Sequence, residues 1–344
     1  MSRESDTPPS ASGGSEHGID LLFMLRAVRK AMSATRIVQS APSLDRLAKD
    51  DRSPVTVADW ASQAVIALEL APVLKDIPLV GEESAEALRQ PESAALLAQV
   101  VDAVARALGR PVKRSECLAA IDRGRGEPNA TAFFTLDPVD GTKGFLRRQQ
   151  YAISLALIEK GAPTYGVLGC PNLPAVDSGF DRPDPVGSLA FAIKDGGAWL
   201  ERDHGEPRQL HLRDWHAGMP VRACESVEAE HSKLDLSAQL LASIGAAGAP
   251  ARLDSQCKYA VVARGGADIY LRLPVKADYR EKIWDHAAGA LIAAEAGAKV
   301  TDVDGFPLDF GRGRELVANR GVLAGHPAIV DRLVAAYARL KLRG

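Results

Sequence analysis

The sequence predicts an α/β protein in two parts, an α+β half followed by an α/β half. The first sign is a run of strand-like pieces in mid-chain, "AFFTL", "AISLALIEKG", "PTYGVLGC" and "SLAFAIKDGGAWLE", separated by Gly and Pro turns. Consecutive short apolar runs of this kind suit an antiparallel meander. The second sign is a change of rhythm from about Val221. There "VRAC", "ADIYLRL" and "AKVTD" alternate with helical stretches near 229–241, 258–264, 283–296 and 327–340. Alternating strands and helices are the pattern of an α/β layer structure. The stretch "RDWHAGMP" between them is the expected boundary, dividing the chain into 1–19, 20–212 and 213–344.

The elements follow in order. Residues 1–19 begin "MSRESDTPPSASGGSEHG", polar and rich in Ser, Gly and Pro, and read as a disordered tail without a signal-peptide core. Helical apolar spacing covers 21–38 and, after "SPVT", 57–74. "IPLVGEES" is a short apolar run stopped by Gly81, the pattern of a strand feeding a loop. Pro91 opens another helix, "PESAALLAQVVDAVARAL", where a first turn tolerates proline. "DRGRGEPNA" is loop, and the meander begins after it. Its first strand carries Phe133, Phe134 and Leu136 into "LDPVDGTKGF", where Pro138 and Gly141 break the run.

Composition excludes several function classes. The chain has 344 residues, 46% hydrophobic and 25% charged, as in globular proteins. A formal net charge of -2 gives no basic field for a nucleic-acid polymer or an acidic membrane. No apolar run is long enough to span a bilayer. Cys117, Cys170, Cys224 and Cys257 form no CxxC pair, which argues for a reducing compartment and against a zinc or disulfide framework. The expected location is cytoplasmic.

The chemistry lies in the acids. Taken singly, each has an ordinary reading. Asp137 and Asp140 can be turn formers, Glu82 and Glu83 a solvated loop face, Asp285 a helix N-cap and Asp59 an exposed first-turn acid. Together they form four acidic stretches, each at a strand end or helix start where loops converge. Oxygen ligands without His or Cys suit Mg²⁺, which keeps waters and takes further ligands from substrate phosphate. Backbone N–H groups at Gly141 and Thr142 follow the acids and favour a bound phosphate. Two such ions about 3.5–4 Å apart can activate a water and stabilise the leaving oxygen of a phosphate ester.

These motifs carry a resemblance. "GEES", "DPVDGTKGF" and "IWDHAAGALIAAEAGAKVTD" resemble the lithium-sensitive, magnesium-dependent phosphomonoesterase superfamily that includes inositol monophosphatase. "SPVTVAD", "DGTKGFLRRQQYAISLALIEKG", "LDSQCKYAVVARGGADIYLRLP" and "EKIWDHAAG" are similar to its 3'(2'),5'-bisphosphate nucleotidase branch, and the likeness runs from about residue 20 to the end. "DGTKGF" in place of the "DGTxNF" form of inositol monophosphatases, together with "LDSQCKY", favours that branch.

The resemblance implies a layered αβαβα fold with the site between the halves, the first binding metal and the second binding substrate. It implies that Glu82, Asp137, Asp140 and Asp285 bind two or three Mg²⁺ ions, with the Val139 carbonyl as a further ligand. Asp59 and Thr142 match the pair that activates the water, and a Thr hydroxyl can relay a proton to a carboxylate. Ser255, Lys258 and Arg272 match groups that hold the nucleotide and its second phosphate, and His231 in "ACESVEAEHSKLD" is the candidate nucleotide histidine.

Without the motif, Lys258 and Arg272 read as surface charges, although an Arg inside an apolar strand needs an anionic partner if buried. Arg123, Arg125, Arg147 and Arg148 read as solvated surface near the cleft. The expected reaction is Mg²⁺-dependent removal of the 3'-phosphate from adenosine 3',5'-bisphosphate, with 3'-phosphoadenylyl sulfate as a further substrate. The alternatives are an inositol or sugar phosphatase of the same superfamily and an inactive nucleotide sensor. The expected partner is a small phosphorylated nucleotide, bound by a monomer or small homo-oligomer.

Overall fold

The structure is a computed structural model that describes residues 15–40, 57–128, 131–175, 183–227, 234–246, 250–274, 276 and 278–341. Helix α1 (Leu21–Gln39) starts where Asp20 accepts a hydrogen bond from the Leu22 amide at 2.8 Å. Residues just before it, placed in the tail on sequence grounds, are tied down. Ser15 Oγ donates to Glu159 Oε1 at 3.0 Å, His17 Nδ1 lies 2.7 Å from the same oxygen, and Ile19 is buried. Helix α2 (Val57–Glu69) stops short of the expected 74, and residues 70–74 continue as turns closed on the Leu70 carbonyl. Helix α3 (Ala94–Leu108) follows a single 3-10 turn at Pro91–Ser93 and ends at Gly109, which takes the left-handed conformation. Helix α4 (Arg114–Asp122) was not expected, because only Cys117, Ala120 and Ile121 of its charged sequence face inward.

The meander forms as predicted. Strand β1 (Leu79–Gly81) pairs in parallel with β2 (Ala132–Asp140). Then β3 (Ala152–Glu159), β4 (Ala162–Cys170), β5 (Ser188–Ile193), β6 (Gly197–Glu201) and β7 (Arg208–Gln209) add antiparallel neighbours in chain order, giving seven strands among the described residues. Among the described residues the second sheet has five strands, β8 (Ala223–Glu225), β9 (Ala251–Arg252), β10 (Ile269–Arg272), β11 (Lys299–Thr301) and β12 (Val322–Gly325), in the order β11-β12-β10-β8-β9. Helices α6 (Leu234–Ser243), α7 (Cys257–Ala263), α8 (Ala287–Glu295) and α9 (Pro327–Lys341) alternate with them. The five-residue α5 (Thr142–Leu146) follows β2.

Strand alternation sorts side chains into layers. On β3, Ile153, Leu155 and Leu157 pack with α1 to α4, whereas Ala152, Ala156 and Ile158 pack with α7 and α8. On β10, Tyr270 joins that same middle layer, while Ile269 and Leu271 face α6 and α9. The order is helices, seven-stranded sheet, α7 with α8, five-stranded sheet, helices: an αβαβα sandwich.

The middle layer is tightly fitted. A Cβ on Gly289 of α8 would lie 2.2 Å from the Tyr259 ring of α7. Alanine there gains about 1 kcal/mol in helix propensity, but overpacking a fitted core costs about 1–3 kcal/mol. Gly289→Ala is therefore expected to lower the melting temperature, by thermal unfolding followed by circular dichroism. An unchanged or higher value would show that the two helices can part without cost.

Candidate active site

Strand β2 delivers the first acids. Its alternation places Phe133, Thr135 and Asp137 toward the middle layer. The register against β3 shifts between Asp137 and Asp140, around Pro138, which has no N–H to give the ladder. Asp137 then accepts from the Val139 amide at 3.1 Å, and Thr142 Oγ1 reaches the Val139 carbonyl at 3.4 Å.

The turn after β2 packs on the second half of the chain. Gly141 has φ +87°, and a Cβ there would lie 3.0 Å from Ser255 Cβ; one on Gly144 would lie 2.8 Å from Asp254 Oδ2. Glycine is required at both for steric reasons, and at Gly141 for its backbone angle as well. Gln256 joins the halves. Its amide donates to Asp140 Oδ2, its side-chain nitrogen to the Trp284 carbonyl at 2.9 Å, and its side-chain oxygen accepts from the Gly289 amide at 3.2 Å. Ser154 Oγ also bonds the Trp284 carbonyl, at 3.2 Å. These contacts hold a separate 3-10 turn, Ile283–Asp285, where a continuous helix was expected. Asp285 therefore sits before α8 and faces the site instead of capping the helix.

Ten of the candidate residues line one cleft of about 260 Å³: Glu82, Asp137, Val139, Asp140, Gly141, Thr142, Ser255, Lys258, Arg272 and Asp285. Asp59 lies behind them and is buried, not exposed as a first-turn acid would be. His231 lies outside the described residues. Lys258 is 3% exposed, which corrects its reading as a surface charge. Its Nζ donates to the Leu253 carbonyl at 3.1 Å and lies 5.3 Å from the Tyr270 ring centre. Arg272 does have the anionic partner that burial demands, Glu281, at 2.7 Å. Among the arginines expected at the surface, Arg147 bridges to Asp254 at 2.6 Å, while Arg123 and Arg125 are exposed.

Sequence reasoning passed over Gln256, Asp254, Ser226, Lys143 and Tyr279, all of which line the cleft. The "LDSQCKY" motif held the signal for the first two. A larger cavity, about 360 Å³ between α1 and β5–β6, holds none of the candidates. Its Arg29 is bonded to Glu201, and its Arg36 to the Pro171 and Val186 carbonyls.

The acids raise one another. Asp137 and Asp285 are pushed well above the carboxylate range, first by burial and then by neighbouring acids. Asp140 is raised by burial, against the pull of Lys258 and the Gln256 amide. Glu82 opens onto solvent on one side, yet its carboxyl is also raised, first by burial and then by Asp140. Glu83 is pushed up to about 8 by burial, then Asp59 and Glu82.

Such a set of oxygen donors fits a hard divalent cation, which would relieve the repulsion. A tighter group of possible ligand atoms, Glu281, Asp285 and His286 within 4.8 Å, is of another kind. There Glu281 is committed to Arg272, and His286 to Glu281 and Tyr259.

A model of the inositol monophosphatase family matches residues 21–339. The chain belongs to that family. Inositol monophosphatases are metal-dependent, in keeping with the donor set. Among curated relatives, a 3'(2'),5'-bisphosphate nucleotidase from Schizosaccharomyces pombe is 39% identical over 335 residues, covering 91% of this chain and 93% of the relative. Enzymes of the same name from Emericella nidulans and Oryza sativa are 40% and 38% identical; the matches cover 91% and 95% of this chain and 96% of each relative. Among solved structures, CysQ from Bacteroides thetaiotaomicron, a bacterial member of the family, superposes with a TM-score of 0.58 at 21% identity, covering 89% of this chain and 96% of its own. The Thermotoga maritima IMPase gives 0.61 at 18% identity, covering 94% and 98%. These structures share the fold.

The raised carboxyls set a pH dependence. A group with a raised folded value holds its proton in the native state where the unfolded chain has released it, so stability falls as pH rises through that value. For Glu83 the window runs from its ordinary 4.5 to about 8. His286, pushed down by burial, works in the opposite sense only below its ordinary 6.5. In chelator, the melting temperature should therefore fall between pH 6.5 and 8, and saturating Mg²⁺ should flatten the slope. A flat or rising profile in chelator would contradict the repulsion described above.

Proposed function

We propose that this protein is a Mg²⁺-dependent 3'(2'),5'-bisphosphate nucleotidase. It removes the 3'-phosphate from adenosine 3',5'-bisphosphate, giving AMP and phosphate, and acts on 3'-phosphoadenylyl sulfate by the same chemistry. One observation carries the reading: a single cleft holds both the repelling acids and two cations, the buried Lys258 and the partly buried Arg272. The acids serve the phosphate being hydrolysed. Lys258 is kept buried although burial lowers its pKa, which makes sense if a second anion completes the site. The names of the relatives agree with this substrate class.

Glu82, Asp137, Asp140 and Asp285, with the Val139 carbonyl, are the groups to hold two or three Mg²⁺ ions. Bound there, Mg²⁺ supplies Lewis-acid stabilisation of the phosphoryl oxygens and a more acidic attacking water. Thr142 orients that water and relays the water's proton through its hydroxyl to Asp59. Gly141 and Thr142 offer backbone amides to the reacting phosphate, and Ser255 with Lys258 and Arg272 grips the nucleotide. An inositol or sugar monophosphate would offer no second anion to Lys258 or to Arg272 Nε, which is unpartnered among the described residues. An inactive sensor has no need of the complete acid set.

A phosphate-release screen of nucleotide bisphosphates against inositol phosphates, with and without Mg²⁺, tests this reading. Turnover should favour adenosine 3',5'-bisphosphate, stop in EDTA and return with Mg²⁺. Activity surviving thorough chelation would refute the metal chemistry. Asp140→Asn should abolish turnover without lowering the melting temperature of the metal-free protein, since it removes one repelling charge. Near-normal activity in saturating Mg²⁺ would remove Asp140 from the ligand set. A charge-assisted hydrogen bond is worth about 1.5–3 kcal/mol, so Arg272→Ala should cost roughly tenfold or more in kcat/KM on the bisphosphate. A small monophosphate ester should be spared. Equal losses on both would favour the inositol or sugar phosphate reading.

A further inference from the structure

We infer that Glu281 is a positioning residue. It fixes the Arg272 guanidinium in the cleft wall and thereby sets the discrimination between doubly and singly phosphorylated nucleotides. The inference rests on the nucleotidase reading above, and nothing in the acid cluster requires it.

Arg272 is the last residue of β10, and its side chain is 14% exposed. Its Nη2 meets Glu281 Oε2 at 2.7 Å, and that carboxylate is 5% exposed. His286 Nε2 lies 3.3 Å from the same oxygen, and His286 Nδ1 lies 2.8 Å from the Tyr259 hydroxyl. An ionised carboxylate only accepts hydrogen bonds. His286 therefore carries its proton on Nε2 and accepts from Tyr259 at Nδ1. Tyr259 is itself wedged between α8 and the Tyr270 ring, which it meets edge-on at 5.0 Å. The chain Tyr259–His286–Glu281–Arg272 is thus anchored in the middle layer at one end and opens on the cleft at the other.

A guanidinium is a rigid plane, so fixing one edge fixes the rest. Arg272 Nε is buried with no hydrogen-bond partner among the described residues, a donor left for a ligand in the cleft that Arg272 lines. Because Glu281 balances the Arg272 charge, Arg272 contributes directed N–H groups, and Lys258 contributes the net positive charge. Arg272 is then preorganised for an anion of fixed position, which is how a remote grip becomes specificity.

The test uses full-length enzyme in Mg²⁺. Calorimetry reads binding of AMP, which keeps the second phosphate, and of inorganic phosphate, which does not. Kinetics compare adenosine 3',5'-bisphosphate with adenosine 3'-monophosphate. Glu281→Gln should weaken AMP binding and raise KM for the bisphosphate by about tenfold, the scale of one charge-assisted hydrogen bond. It should leave kcat, phosphate binding and the 3'-monophosphate within about twofold, the ordinary insensitivity of a step the residue does not touch. In an Arg272→Ala background the same change should add nothing.

Equal losses on both substrates, or a full additional loss without Arg272, would make Glu281 merely structural and overturn the inference. If Glu281→Gln does not fold, Glu281→Asp keeps the charge but draws it back by one methylene. The same selective loss is then expected, and unchanged AMP binding would overturn the proposal. A wild-type enzyme without preference for the bisphosphate over the 3'-monophosphate would overturn the nucleotidase reading, and this inference with it, so the two failures are separable.

Discussion

Carboxyl groups crowded at one end of the middle layer repel one another, and the architecture of the site follows from holding them there. Asp137 and Asp140 come from β2, Glu82 from the end of β1, and Asp285 from the turn before α8. Each is raised by burial; neighbouring acids add to the rise at Glu82, Asp137 and Asp285, while Lys258 and the Gln256 amide oppose it at Asp140. A cluster of this kind does not assemble for its own stability. It persists because the two sheets and their shared helical layer are rigid enough to impose it, and because a bound cation turns the repulsion into attraction.

That rigidity has identifiable sources. Gln256 uses its backbone amide and both side-chain ends to connect Asp140, Trp284 and Gly289. Gly141 and Gly144 let one loop lie directly on Asp254 and Ser255. Ser255 itself has φ +68°, a conformation unusual for serine and typical of positions where local strain is tolerated at a functional site. The Glu281–Arg272 pair extends the same frame to the far wall of the cleft. The acids and the cations, which we propose serve two different phosphates, share this frame.

Much of this was legible in the sequence, for particular reasons. The meander showed because β2 to β6 are short apolar runs broken by Gly and Pro. The acids showed because Asp137, Asp140 and Asp285 fall where strands end or helices begin, and their motifs resemble a known superfamily. Other features were hidden. Helix α4 lacks an apolar stripe, and residues 15–19 are held by Glu159, far along the chain, and by burial of Ile19. Burial of Lys258 depends on β10 and the loop at Leu253, and Glu281 gains meaning only when β10 brings Arg272 to it. The break at Asp285 could not be read from a helical pattern, because contacts from Ser154 and Gln256 to the Trp284 carbonyl create it.

The most direct measurement is the number of protons released when Mg²⁺ binds at neutral pH, from calorimetry in buffers of different ionisation enthalpy. Carboxyls raised by burial and mutual repulsion must give up protons as the cation enters. Net proton release with Mg²⁺ binding is the expected result, reduced when Asp137 is replaced by Asn. Mg²⁺ binding without proton release, or no binding at all, would contradict a cleft organised around mutually repelling carboxylates.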